Sequence, residues 1–250
     1  MTGVSAREAA VLLGEVSLCG GGPFYPIPRA GVKATPGLTS SPSGRLQQNP
    51  AADKTLLRRI FRKYLPIYNV VLIALIIMGN HYHLMVDACR CRLSDEEVTA
   101  RWRKLYGEKE PPPLPGTKAF TAFRARLDDV SALLHDVQGI FTRQYNTRHH
   151  RHGTLWQGRF RSYRLPDLRA LFRCFVYIEG NALRAGMVAH PRLYHFGTYR
   201  QWVQAAGDPP VLVLLRELCG ATEKEYPRKL FFDEVEEIFT RIIAERRSAT

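Results

Sequence analysis

A mostly apolar run with one turn dipeptide in its middle most constrains the fold of this chain. Strand-like residues extend over about 69–78 and again over 81–87, with Gly79-Asn80 between them. Gly and Asn adopt the backbone conformations that tight hairpin connections require. The run therefore predicts two adjacent strands, and the second strand carries a His-x-His sequence.

The two histidines of this sequence, His81 and His83, should share one face of the strand, with Tyr82 on the other, because strand side chains alternate. Imidazole is the commonest metal ligand in proteins, so two neighbouring rings can hold one divalent ion. A pair of partly exposed strand histidines without a ligand is the alternative. The His-x-His sequence alone does not separate the two.

The rest of the chain predicts an α+β protein, a mostly antiparallel sheet with helices packed against it. Gly, Pro and Ser are frequent over 19–53, which favours loop, with one strand near 24–32. Helical periodicity and capping residues predict seven helices. They are expected over 5–18, 53–64, 95–106, 119–147, 168–182, 211–219 and 232–246, and a further strand is expected over 153–163.

Positive charge points to a polyanionic partner, most often a nucleic acid. The chain has 36 Lys and Arg against 23 Asp and Glu, a formal net charge of +13. Eight arginines lie between Phe141 and Arg173, where Asp167 is the only acid and aromatic residues are interleaved. This composition is typical of surfaces that bind single strands. The residues expected to contact DNA are Arg143, Arg148, Arg151, Trp156, Arg159, Arg161 and Arg164.

The sequence contains no recognisable export or membrane signal. The five cysteines include no Cys-x-x-Cys pair, and no apolar run reaches membrane-spanning length. We therefore expect a reduced cytoplasmic protein, associated with the nucleoid and not with a membrane.

A second candidate group lies about a hundred residues beyond the histidines. Tyr177 and Asn181 are four positions apart on a predicted helix and therefore share a face. An amide oxygen would complete a mixed nitrogen and oxygen ligand set for Mg²⁺ or Mn²⁺, and a phenol can attack phosphorus. Alternatively, Tyr177 packs at the core edge and Asn181 caps the helix.

Three sequence blocks resemble one known family. Gly79-Asn80-His81-Tyr82-His83-Leu84-Met85-Val86 resembles the signature of the HUH (His-hydrophobic-His) single-tyrosine transposases. Residues 145–148 with 153–160, and residues 177–188, are similar to two blocks of the branch called REP-associated tyrosine transposases. The blocks occur in the same order as in that branch and span about 65–200.

The resemblance implies His81, His83 and Asn181 as ligands of Mg²⁺ or Mn²⁺, and Tyr177 as the nucleophile. It implies a ferredoxin-like or RNA-recognition-motif-like sheet and a hairpin-bearing single-stranded DNA substrate. Cleavage would leave a 5′-phosphotyrosine and a 3′-hydroxyl, and the enzyme would act as a homodimer. Residues 53–200 would form the transposase-like domain, after an irregular segment 1–52 able to add an edge strand and before a helical extension 201–250.

Other readings stay open at this point. The chain could be a catalytically inactive or repurposed DNA-hairpin-binding protein, or, less favoured, a metal-dependent RNA nuclease. Tyr145 is a rival nucleophile, and Glu179 is a candidate general acid or base beside Tyr177.

Overall fold

The computed structural model describes the backbone of residues 9–15, and residues 50–88, 91–156 and 160–248. The four strands are β1 (Ala9–Glu15), β2 (Val71–Ile77), β3 (His81–Asp87) and β4 (Arg161–Arg164). The helices are α1 (Pro50–Tyr64), α2 (Asp95–Tyr106), α3 (Lys118–Leu127), α4 (Val130–Arg148), α5 (Leu168–Glu179), α6 (Asn181–Arg184), α7 (Tyr199–Gln204), α8 (Pro210–Cys219) and α9 (Arg228–Ser248).

The four strands form one antiparallel sheet in the order β2-β3-β1-β4. Among the described residues, α1 lies between β1 and β2 in the chain, a hairpin connects β2 to β3, and α2, α3 and α4 lie between β3 and β4. This βαββαβ connectivity is that of the ferredoxin-like fold. The predicted α+β class and ferredoxin-like sheet are confirmed, with a helical C-terminal part.

Helices cover both faces of the sheet. Tyr82 and Leu84 of β3 belong to a core shared with α1 and α4. Met85, the next residue of β3, belongs to a second core shared with α5, α8 and α9. Strands buried on both faces have continuous apolar sequences, which explains the uninterrupted apolar run of β2.

The free edge of β2 is covered by the segment that precedes α7. Ile77 N–H donates to the Phe196 carbonyl at 2.9 Å, and Thr198 N–H donates to the Leu75 carbonyl at 3.0 Å. An open strand edge is a template for pairing with other chains, and this segment closes it. Within the described residues, no helix is both long and apolar enough to cross a membrane.

The helix predicted over 5–18 is wrong, because residues 9–15 form β1. A short continuous apolar run does not distinguish a strand from a buried helix, and here pairing with two other strands decides. β1 lies between β3 and β4, so the N-terminal strand is interior and not an edge strand. The strand expected near 24–32 lies outside the described residues.

The single helix predicted over 119–147 is two helices, α3 and α4. The Leu127 carbonyl accepts the backbone N–H of Asn69 at 2.8 Å, and the Asn69 side chain donates to Asp128 at 2.7 Å. These bonds from another segment replace the continuing helical bonds. Asp129 then caps α4 by accepting the Ser131 N–H at 2.7 Å.

The strand predicted over 153–163 is present only as β4, Arg161–Arg164. Trp156 makes an isolated bridge, and residues 157–159 are not described. The helices predicted over 53–64, 95–106, 211–219 and 232–246 are confirmed. The first begins three residues earlier, at Pro50, and the last has additional residues at each end.

Candidate metal and nucleophile site

The strand side of the site consists of the two histidines of β3. The rings of His81 and His83 are 4.9 Å apart between centroids, at 79° to one another. Their predicted common face is therefore confirmed. His83 is buried and His81 is partly buried.

The helix side of the site comes from α5 and α6. Asp167 caps α5 by accepting the Ala170 N–H at 2.7 Å. The helix ends at Glu179, three positions before the predicted end at 182, and Gly180 separates it from α6. Tyr177 and Asn181 nevertheless share a face, since their side chains are hydrogen-bonded.

The two sides meet at His83. The Tyr177 ring lies 5.8 Å from the His83 ring between centroids, and Asn181 Nδ2 lies 3.1 Å from His83 Nε2. Asn181 is also buried. The structure thus brings His81, His83, Tyr177 and Asn181 together, although the sequence separates the two pairs by about a hundred residues.

Both imidazoles are neutral near pH 7, the state in which histidine binds a metal. Burial lowers the pKa of His81 to about 4. Burial and then the charge of His81 lower the pKa of His83 to about 3. His81 Nδ1 is 2.8 Å from Asn80 Oδ1. Since an amide oxygen only accepts, Nδ1 carries the proton and Nε2 keeps its lone pair.

The side chains fit a hexacoordinate divalent ion. Two cis ligands at the usual Mg²⁺ distance of about 2.1 Å are about 3 Å apart, close to the 3.1 Å between His83 Nε2 and the Asn181 amide nitrogen. Turning the carboxamide over presents its oxygen at this place. Among the described residues, no three His, Cys, Asp or Glu side chains form a metal-binding group.

One buried ring nitrogen at the site has no partner. His83 Nδ1 makes no hydrogen bond among the described residues. An unpaired buried polar group costs about 1–3 kcal/mol, and such exceptions call for a specific explanation, for example a bound ion or a catalytic role. Because Nδ1 and Nε2 point in diverging directions from the ring, an ion held at Nε2 would not satisfy Nδ1, and this observation does not bear on the metal site.

The Tyr177 hydroxyl is not activated by its surroundings alone. Burial raises the pKa of Tyr177 to about 12, while the Arg184 charge and the hydrogen bond with Asn181 oppose this rise. Arg184 lies with its guanidinium carbon 5.0 Å from the Tyr177 ring centroid. Sequence reasoning missed Arg184, although its position seven residues after Tyr177 on a helical segment was an available signal.

Glu179 lies between Tyr177 and Asn181 in sequence but has a different environment. Its carboxyl group is hydrogen-bonded to the Thr198 hydroxyl and accepts the Tyr199 N–H at 2.9 Å. Thr198 in turn accepts the Leu75 N–H at 2.9 Å. Both carboxyl oxygens are thus engaged away from Tyr177, which supports a role in fixing α5 against β2 and not the candidate acid–base role.

Tyr145 and Trp156 are packing residues in this structure. Tyr145 is 2 % exposed, and its ring contacts those of Phe141 and His149. Trp156 packs against the ring of Tyr82 and donates from Nε1 to Thr142 Oγ1 at 2.8 Å. Tyr145 belongs to the core on the opposite face of the sheet from Tyr177.

The expected DNA-contacting arginines are spread over several elements. Arg143 and Arg148 lie on α4, which packs on the sheet face opposite the histidines, and Arg148 pairs with Asp53 at 3.2 Å. Arg151 lies 5.9 Å from the Tyr145 ring centroid, and Arg164 is an exposed residue of β4. The side chains of Arg159 and Arg161 lie outside the description. Whether these residues contact DNA stays a prediction.

Comparisons with known proteins give one structural likeness. No protein-family model matches the chain, and no curated protein matches its sequence. A solved structure described as a REP-associated tyrosine transposase bound to a REP hairpin is similar over 84 % of this chain and 90 % of that one. The identity is 14 % and the TM-score 0.47. A likeness at this level carries no weight for function.

Proposed function

We propose that this protein is a metal-dependent enzyme that nicks single-stranded DNA next to hairpins and transfers the strand through a 5′-phosphotyrosine at Tyr177. One observation carries the proposal: a paired-imidazole strand, a phenol and a carboxamide converge at His83. The resemblance of the blocks around His81, Trp156 and Tyr177 to the REP-associated tyrosine transposases supplies the substrate class.

The ion would be held by His81, His83 and Asn181. A bound Mg²⁺ or Mn²⁺ supplies Lewis-acid polarisation of the scissile phosphate. The protein residues supply orientation, because Asn181 contacts both the His83 ring and the Tyr177 hydroxyl. This link supports Tyr177 as a nucleophile that would act beside the ligand set, and such positioning accounts for a large part of enzymatic rate enhancement.

The chemical step is a substitution at phosphorus. The Tyr177 oxygen attacks, the bond from phosphorus to the 3′ oxygen breaks, and a tyrosine–phosphorus bond forms. The phenolic proton passes to water, and the departing 3′ oxygen gains a proton. One phosphodiester replaces another, so the reverse attack by a 3′-hydroxyl rejoins the strand without an external energy source.

Positive charge near Tyr177 opposes the rise in its pKa that burial causes. At neutral pH the phenol is protonated, and burial opposes its ionisation. The Arg184 guanidinium favours the phenolate, as a cation within a few ångströms generally does. The formal net charge of the whole chain, +13, would concentrate DNA near the protein.

An adduct assay tests the proposal. Protein is incubated with labelled hairpin oligonucleotides that carry single-stranded flanks, with Mn²⁺ or with EDTA, and resolved on a denaturing gel. We expect a covalent protein–DNA band with Mn²⁺ and none with EDTA. Hairpin binding without any adduct would favour the binding protein that lacks catalysis, and adducts or cleavage with the RNA version alone would favour a nuclease.

A further inference from the structure

Arg184 is held at the candidate nucleophile by two contacts. Its guanidinium carbon lies 5.0 Å from the centroid of the Tyr177 ring. Its Nη1 donates to the Tyr177 carbonyl at 2.9 Å. A cation over an aromatic face is attracted by the ring quadrupole, by roughly 0.5–2 kcal/mol depending on desolvation. The side chain is therefore folded back over the residue that we propose as nucleophile.

The charge of Arg184 has no anionic partner in the described part of the chain. Arg126 and Arg216, which are also partly buried, pair with Asp136 and Asp208, each at 2.6 Å. Glu179 lies near in sequence, but its carboxyl group is bound to Thr198 and the Tyr199 N–H. A desolvated charge without a counterion is costly. This cost favours an external anion at Arg184.

The guanidinium also keeps donors for such an anion. A guanidinium has five N–H groups in a planar fork that matches phosphate oxygens. Within the described residues, the hydrogen bond of Arg184 is the one from Nη1 to the Tyr177 carbonyl. A single bond of this kind caps a helix end and leaves the other donors available.

Gly180 provides the space for this arrangement. A Cβ atom at Gly180 would lie 2.9 Å from Arg184 Nη1, 2.9 Å from the Val176 carbonyl oxygen and 3.1 Å from Phe239 Cε1. All three distances are too short for ordinary contact. A glycine disfavours helix, and here it accompanies the end of α5 between Tyr177 and Asn181. The break and the missing side chain together allow the guanidinium to reach Tyr177.

We propose that Arg184 forms a binding subsite for a backbone phosphate of single-stranded DNA beside Tyr177. The proposal rests on the proposed function for the identity of the ligand, but it concerns binding and not cleavage. Arg184 would contact non-bridging oxygens of the phosphate on the nucleophile's side of the site. The alternative is that Arg184 only caps the end of α5.

Salt-dependent binding separates these two roles. Affinity for a single-stranded oligonucleotide falls with salt, and each neutralised phosphate contributes about 0.7 to the slope of log K against log salt. We would measure fluorescence anisotropy with a flanked hairpin oligonucleotide in EDTA, so that no cleavage occurs. The variants are Arg184→Met, which removes the charge at similar length, and Arg184→Lys, which keeps it.

The subsite predicts that Arg184→Met lowers the slope by about 0.7 and that Arg184→Lys restores it. Arg241→Met is the matched control, because Arg241 is an exposed residue of α9 paired with Glu237 at 3.1 Å. Its slope should equal that of the wild type. An unchanged slope in a folded Arg184→Met protein would overturn the proposal.

A second measurement uses the wild-type protein and covers the case in which Arg184→Met fails to fold. The protein is treated with phenylglyoxal, with and without saturating oligonucleotide, and modified arginines are identified by peptide mass spectrometry. Bound DNA should reduce modification of Arg184 at least fivefold and leave Arg241 unchanged. Equal modification of Arg184 in both conditions contradicts the subsite. Protection of Arg184 in a protein that forms no covalent adduct would retain the subsite and refute the proposed cleavage.

Discussion

The Asn181 carboxamide lies 3.1 Å from Nε2 of His83, although 98 residues separate the two in sequence. One residue belongs to a short helix and the other to an interior strand of the sheet. Their contact joins the two halves of the candidate site and places Tyr177 next to a pair of neutral imidazoles.

Mn²⁺ binding should depend on the two histidines. We expect His83→Asn or His81→Asn to weaken Mn²⁺ affinity by at least about tenfold, since loss of a supporting residue around a metal site already costs 10–100-fold. Electron paramagnetic resonance of free Mn²⁺ measures this directly. His135→Asn is the control, because the His135 side chain is 85 % exposed on α4. Equal affinity in all four proteins would rule out this metal site.

The pH dependence of Mn²⁺ binding should be that of buried imidazoles. Because the pKa values of His81 and His83 are about 4 and about 3, both rings stay neutral well below pH 6. Affinity should therefore change little from pH 7 to pH 5.5 and fall below about pH 5. A site built from histidines with the ordinary pKa of about 6.5 would lose Mn²⁺ affinity between pH 7 and pH 5.5. Such a loss in the titration would show that the rings are not desolvated as described.

Glu179 should make the protein less stable at high pH. Burial raises the pKa of Glu179 to about 8, above the unfolded value of about 4.3. The folded state therefore binds the proton more tightly. This contribution to stability is fully present below about pH 4 and is lost as the pH rises through about 8.

Glu179→Gln imitates the protonated carboxyl group, since its amide can donate to Thr198 and its oxygen can accept the Tyr199 N–H. We expect similar melting temperatures for the variant and the wild type at pH 5, and a higher melting temperature for the variant at pH 9. Parallel melting curves across this range would show that Glu179 is ionised in the folded protein.

Two glycines should respond oppositely to alanine. Gly180→Ala places a Cβ within 2.9 Å of Arg184 Nη1 and of the Val176 carbonyl oxygen, and such overpacking typically costs about 1–3 kcal/mol. Gly139→Ala meets only the end of the Arg143 side chain at 3.6 Å. It should stabilise α4 by about 0.5–1 kcal/mol. Denaturant unfolding measures both, and a stabilised Gly180→Ala protein would refute the close packing.

The sequence was sufficient for the parts of the site that depend on local periodicity. The common face of His81 and His83 follows from the strand repeat, and the common face of Tyr177 and Asn181 follows from the helix repeat. Neither repeat predicts that the strand face and the helix face contact each other. That step needed the resemblance of three blocks to one family.

The remaining features depend on contacts between distant segments. β1 is a strand because β3 and β4 pair with it, and the break after Leu127 follows from its bond with Asn69. The Glu179–Thr198 link and the Arg184 contact with Tyr177 likewise have no signature in short sequence windows. Local propensity is a weak guide wherever such tertiary bonds decide.

Identification of the tyrosine that carries the DNA tests the central claim most directly. Wild-type protein is incubated with Mn²⁺ and a flanked hairpin oligonucleotide, digested with nuclease and protease, and analysed by peptide mass spectrometry. The account predicts a nucleotide on the peptide that contains Tyr177, and no adduct in Tyr177→Phe. An adduct on Tyr145 or another residue, or one that persists in Tyr177→Phe, would contradict it.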